Sequence, residues 1–167
     1  MDLTPYLGWI TFLHVAGAFL FVAGHGVSIA VAFRVRRERD PIRMLAYLDL
    51  SAWSLAAATI GMLVLLIAGI ASGIVGGSFG RAWIWASLVL FIAIGLVMTP
   101  MGGTYFGAIR AALGQRTRGM KPADPEPVPL PMEQVLALSD TKQPELLVLI
   151  GGGGFLVILY LMMFKPF

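Results

Sequence analysis

Between Leu3 and Phe33 the chain contains no Asp, Glu, Lys or Arg. A run of that length exceeds the ~20 apolar residues with which a helix crosses a hydrocarbon core. In lipid every backbone N–H and C=O must be paired within the protein, which leaves an isolated apolar segment only the helix. Three more long apolar runs follow, and the whole chain of 167 residues is 58% hydrophobic and 13% charged, with a mean hydropathy of +0.85. These values lie outside the range of soluble domains. The expected fold is therefore all-α: a four-helix transmembrane bundle forming one integral membrane domain over residues 1–167, with spans near 6–33, 44–75, 81–110 and 144–164.

In chain order, Thr4 is expected to cap the first span with Pro5 at its first helical position. The start lacks the positive n-region of a secretory signal, so the first span is read as a retained helix. It ends in the basic stretch Arg34 to Arg43, where Pro41 is read as a stop. Gly76-Gly77-Ser78-Phe79-Gly80 marks a tight turn, and Trp83 and Trp85 then stand where an interfacial aromatic belt is found. In span 3, Thr99-Pro100-Met101-Gly102-Gly103 predicts a kink. Residues 115–143 form a polar, Pro-rich loop whose Lys121 to Pro131 part reads as an extended connector. A short interfacial helix is expected from Pro131, and Gly151 to Gly154 read as a close-packing segment of span 4 rather than a phosphate loop.

Charge placement supplies the orientation. Arg34, Arg36, Arg37, Arg39 and Arg43 lie between spans 1 and 2, and Arg110, Arg116, Arg118, Lys121 and Lys142 between spans 3 and 4. Only Arg81 and Lys165 lie on the other side. The positive-inside rule then puts both termini outside and the two basic loops in the cytoplasm of a bacterial inner membrane. In this setting the net charge of +3 reports topology and attraction to membrane lipids, and no nucleic-acid partner is expected.

Chemistry concentrates in span 1, which holds both histidines, His14 and His25. The eleven-residue step turns a helix through about 1100°, about 20° past three full turns, and rises roughly 16 Å. Both imidazoles then share a face, with Gly17, Ala18 and Phe21 between them, where a flat group could approach the backbone. An ionisable residue in hydrocarbon is a functional candidate, and neutral imidazole ligates metals and haem. The expected cofactor-binding set is His14, His25, Gly17 and Phe21, with His14 and His25 as the metal-ligating pair; the cofactor is haem b or a (bacterio)chlorophyll. Met62 and Met98 are candidate further ligands, the chain offering no third histidine. The competing reading is that each histidine bonds a neighbouring carbonyl and serves packing.

Elsewhere the candidates are fewer. Gly95, Met98, Gly102 and Tyr105 form a strip on span 3 that serves helix packing or lines a cleft. Asp49 is expected to pair with Arg34 or Arg43. With no Cys, no Ser-His-Asp set and no paired carboxylates, no catalytic residue is assigned.

The run Phe12-Leu13-His14-Val15-Ala16-Gly17-Ala18-Phe19-Leu20-Phe21-Val22-Ala23-Gly24 resembles the first helix of an uncharacterised family of four-helix bacterial membrane proteins. More distantly it is similar to the Leu-His-Leu-x-Gly helix of copper-resistance type-D domains and of the haem-binding bacterial protoporphyrinogen oxidase. The latter resemblance implies haem b coordination at His14. The resemblance covers about 20 residues, and the chain departs from both groups by adding His25 and lacking a later-span histidine.

Three functions remain open on the sequence. The chain is a non-catalytic subunit of a respiratory or photosynthetic electron-transfer complex that holds a tetrapyrrole through span 1. Alternatively it is a cofactor-free accessory subunit, or a small solute or copper transporter. The first two require other integral membrane subunits or a homodimer mate.

Overall fold

The computed structural model describes residues 3–167, so Met1 and Asp2 of the expected unit lie outside the described residues. It is all-helical, and four helical segments are long and apolar enough to cross a membrane. A 3-10 turn at Thr4–Tyr6 leads into α1 (Leu7–Val35), which is followed by α2 (Pro41–Val75) and α3 (Ala82–Ala112). Beyond the polar loop come α4 (Met132–Ser139) and α5 (Gln143–Leu147). A π-turn (Val148–Gly152) carries α5 into α6 (Gly153–Phe164).

Two boundaries differ from the sequence expectation. Thr4 does not cap the first span: it opens the 3-10 turn, which Leu3 precedes, and α1 starts at Leu7. Pro41 is a start rather than a stop. The Asp40 side chain accepts from the Ile42 and Arg43 amides at 2.8 and 3.4 Å, and Pro41, which needs no amide partner, takes the first turn of α2. The helix over Ala82–Ala112 continues through Pro100. The short helix expected after Pro131 is present as α4.

The helices α1 and α2 run antiparallel and interlock. On α1 the contact residues His14, Gly17, Phe21, Gly24 and Ser28 step by three and four, and Val31 and the buried Val35 continue the series. The facing residues on α2, Ser51, Ser54, Ala58, Gly61, Leu65, Ala68 and Ser72, step likewise. That alternation is the repeat of a left-handed coiled-coil seam. Here it is filled by small residues, since lipid supplies no hydrophobic force to press helices together and close backbone approach supplies dispersion instead. A methyl on Gly17 would lie 2.5 Å from the Leu65 amide nitrogen; one on Gly61 would lie 2.5 Å from that of Phe21. Hydroxyls add directional contacts: Ser28 Oγ lies 3.0 Å from Ser54 Oγ and 3.1 Å from Ser51 Oγ, and Thr11 lies 3.3 Å from Ser72.

The second pair, α3 with α6, meets through side chains laid on glycines. Met98 packs on Gly151 of the π-turn that leads into α6, and Ile94 on Gly154 of α6. Gly95 and Gly102 of the span 3 strip have open space around them.

The first pair meets α3 and α4 in one core at the end carrying the two basic loops. Val31, Ala32 and Val35 meet Met44 and Leu48 of α2, Tyr105, Ile109 and Ala112 of α3, and Val135 of α4. Tyr105 OH is 3.1 Å from the Ser139 carbonyl and 3.3 Å from that of Ala32, so one hydroxyl addresses α4 and α1 from α3. Arg36 crosses the same junction. Its Nε donates to the Ser139 carbonyl at 3.2 Å, and its Nη1 and Nη2 grip Glu145 at 2.5 and 2.7 Å. The carboxylate hydrogen bond holds the guanidinium above its ordinary pKa. Asp49 joins α2 to α3 through Arg110 at 2.8 Å and pairs with neither Arg34 nor Arg43. Arg34 turns to Tyr47 and Glu38 and Arg43 to Asp40, leaving Asp49 to the cation that α3 carries past it.

Candidate functional site: two anchored imidazoles on the first helix

His14 belongs to the α1/α2 seam. Its Nδ1 lies 2.8 Å from the Leu65 carbonyl, and its ring covers Gly69, where a methyl would come within 2.7 Å of Nδ1. Gly69 therefore makes the space the ring occupies. A carbonyl only accepts, so Nδ1 carries the proton and donates. In the neutral ring the lone pair is then on Nε2.

His25 reaches the same chemical state by another route. Its Nδ1 donates to the Phe21 carbonyl one turn back on its own helix, at 3.2 Å. The ring lies on that of Phe21, with centroids 4.3 Å apart and planes tilted by 43°, and Phe21 meets Phe91 of α3 at 5.9 Å. An aromatic chain thus links α3 to His25. Among the described residues, Nε2 of neither histidine has a hydrogen-bond partner, and neither Nε2 is sealed inside the protein.

Of the remaining expected site residues, Phe21 does lie against His25. Gly17 does not offer an open platform: the α2 backbone at Gly61 and Leu65 fills the space above it. A macrocycle laid flat on Gly17 would have to displace α2, so that part of the expectation is corrected to helix packing. Met98 has its sulfur on Gly151, at 2.7 Å from where a methyl there would be, in the α3/α6 contact. Met62 is half-buried on α2 beside Gly61.

The two imidazoles do not converge on one ion. Three helical turns separate them, roughly 16 Å of rise, whereas two nitrogens on one metal lie within a few ångströms. No cluster of three or more His, Cys, Asp or Glu exists among the described residues. The chain can therefore supply one axial nitrogen at each of two levels, not a closed coordination sphere. A tetrapyrrole, which brings four nitrogens, needs no more than that from one helix. In metal sites the Nδ1–H to carbonyl bond is the device that fixes tautomer and ring angle so that Nε2 can ligate.

Two cavities lie at the basic-loop end, of about 390 and 310 Å³, and neither is lined by a histidine. The larger is walled by arginines of the α1–α2 loop, which the sequence explains by topology and attraction to anionic lipid without placing them at a cavity, and by α4. Comparison of the chain with protein-family models, with curated proteins and with solved structures returns no match.

Proposed function

We propose that the chain is a small integral membrane subunit of a bacterial electron-transfer complex, and that α1 supplies an axial imidazole to a haem b or chlorophyll-type tetrapyrrole. The observation that carries this reading is the shared state of His14 and His25: Nδ1 is committed to a main-chain carbonyl, and Nε2 is left with a lone pair and no partner among the described residues. In hydrocarbon an unpartnered polar atom is costly, which favours a bound group or a neighbouring subunit at that position. The first-helix resemblance to haem-binding membrane proteins supports His14 as the ligand. Met98 is engaged with Gly151, and a sixth ligand from a neighbouring subunit fits this reading best. The protein is in this respect half of a site.

The test is the absorption spectrum of the full chain purified from its native membrane, alone and with its copurifying partners. A Soret or chlorophyll band that is lost in His14→Leu, with the protein still folded, carries the reading. Absence of any band from well-folded wild type sinks it.

The α1/α2 seam supports a second reading, a cofactor-free accessory subunit in which His14 is a packing residue. Here His14→Leu lowers stability through the lost Leu65 bond and changes no spectrum, and the complex still assembles.

The proposed placement is the inner membrane with both termini outside. Ten of the twelve Lys and Arg flank the loops that would face the cytoplasm. Because the sequence contains no cysteine, single-cysteine labelling reads this cleanly. Gly119→Cys should react with a membrane-impermeant maleimide only after permeabilisation, and Phe167→Cys in intact cells.

A further inference from the structure

At the basic-loop end, the cavity of about 390 Å³ between the end of α1 and α4 has Arg36, Arg37 and Arg39 on one wall. Leu136 and Ala137 of α4 and Phe33 of α1 supply its apolar surface, and Asp140 also lines it. The three arginines are not equivalent. Arg36 is spent on Glu145 and on the Ser139 carbonyl. Arg39 gives only main-chain contacts, from Nη1 to the carbonyls of Arg36 and Glu38 at 3.3 and 3.2 Å. The Arg37 side chain makes no hydrogen bond or ion pair among the described residues; only its amide is engaged, donating to the Arg34 carbonyl at 3.1 Å. Arg37 and Arg39 therefore line the cavity with donors to spare, beside a third arginine that is locked into the fold.

The charge balance narrows the ligand. Glu145 neutralises Arg36, and Asp140 offsets one of the remaining two cations, leaving a single positive charge. That suits one phosphodiester, which carries one negative charge, better than a free phosphate near two. The Asp140 carboxylate, which has no side-chain partner among the described residues, repels an anion but accepts from a hydroxyl. A cavity of this size lies within the range of small-molecule sites, about 300–1,000 Å³, and exceeds the needs of a lone phosphate group. Phe33, still 38% exposed, places the apolar part of the wall at the end of a membrane-spanning helix.

We propose that this cavity binds the headgroup of an anionic, hydroxyl-bearing glycerophospholipid, with the phosphodiester on Arg37 and Arg39 and a headgroup hydroxyl on Asp140. Basic pockets between helices at the membrane surface bind anionic headgroups by this chemistry. The site is separate from the histidines and stands whether or not α1 holds a cofactor.

The test uses the full chain in detergent, titrated with short-chain phosphatidylglycerol, phosphatidylcholine, phosphatidylmethanol and inorganic phosphate, with binding read by native mass spectrometry. Wild type should prefer phosphatidylglycerol to phosphatidylcholine. The R37Q/R39Q variant should lose roughly thirty-fold in phosphatidylglycerol affinity, at the attraction typical of two arginines for anionic lipid. R116Q/R118Q, in the other basic loop, should leave it unchanged. D140N should cut the preference for phosphatidylglycerol over phosphatidylmethanol, which lacks the hydroxyls. Should the double variant prove unstable, R37Q alone removes a side chain with no partner to lose and should still weaken binding several-fold. Unchanged affinity in these variants, or equal binding of phosphatidylcholine, overturns the proposal. Binding of inorganic phosphate at the same sites with no lipid preference assigns the cavity to a soluble phosphate and overturns the lipid.

Discussion

The two helix pairs are joined in contrasting ways. Of the most apolar stretch of α1 and of α2, 22% of residues are buried, against 11% in α3 and 6% in the last helix. Between α1 and α2, backbone approaches backbone across Gly17, Gly24 and Gly61, and the gaps are bridged by serine hydroxyls and an imidazole. Between α3 and α6, Met98 and Ile94 rest on Gly151 and Gly154, and most of both surfaces is left to lipid or to another chain. The first pair is the rigid element on which the imidazoles are mounted. The second contributes chiefly at the loop end, through Tyr105 and Arg110 of α3 and through Glu145 of α5, which leads into α6.

Substitution at the glycines gives the widest separation between the two pairs. Gly61→Leu forces a side chain into the Phe21 backbone and should cost about 3 kcal/mol, read as lost resistance to denaturing detergent. Gly95→Leu on α3, where nothing lies nearby, should change stability by less than about 0.5 kcal/mol. Equal effects at the two positions would break the contrast. Tyr105→Phe removes the donor that ties α3 to the Ser139 and Ala32 carbonyls, and should cost about 1–2 kcal/mol while leaving the α1/α2 seam intact by cross-linking. Asp49→Asn loses an ion pair whose aspartate is 63% exposed, and about 0.5 kcal/mol is expected by the same assay.

The smallest effect is that of Glu38. The amides of Arg39 and Asp40, aided by Arg43 and Arg34, hold its carboxyl below the ordinary value of 4.5. Because the folded state favours the charged form, its contribution is complete above that value and fades as pH falls below it. Glu38→Gln should therefore flatten slightly the loss of stability between neutral and acid pH, measured as midpoint against pH.

Element existence was legible in the sequence because each span is a long apolar run whose only solution in lipid is a helix. The seam was partly legible as well. His14, Gly17, Phe21 and Gly24 step by three and four, and reading that rhythm as a coiled-coil repeat would have assigned Gly17 to α2 rather than to a flat ligand. The Asp40-Pro41 cap was available in the local sequence too. Other features had no local signal. The partner of Asp49 sits 61 residues away on α3, and Tyr105 reaches carbonyls 73 and 34 positions off. Such pairings depend on how the helices are rotated and stacked, and hydropathy carries no information about rotation. The arginine cavity was hidden for a related reason, since a basic loop looks the same whether its guanidinium groups point to solvent or line a wall.

The Arg36–Glu145 grip joins residues 109 apart, so it has a consequence for biogenesis. While the chain is being made, α1 and α2 are complete long before Glu145 leaves the ribosome. The first hairpin must stand in the bilayer with Arg36 unanswered through that interval. A seam closed entirely within residues 7–75 lets it do so, and arrival of the last helix then acts as the latch.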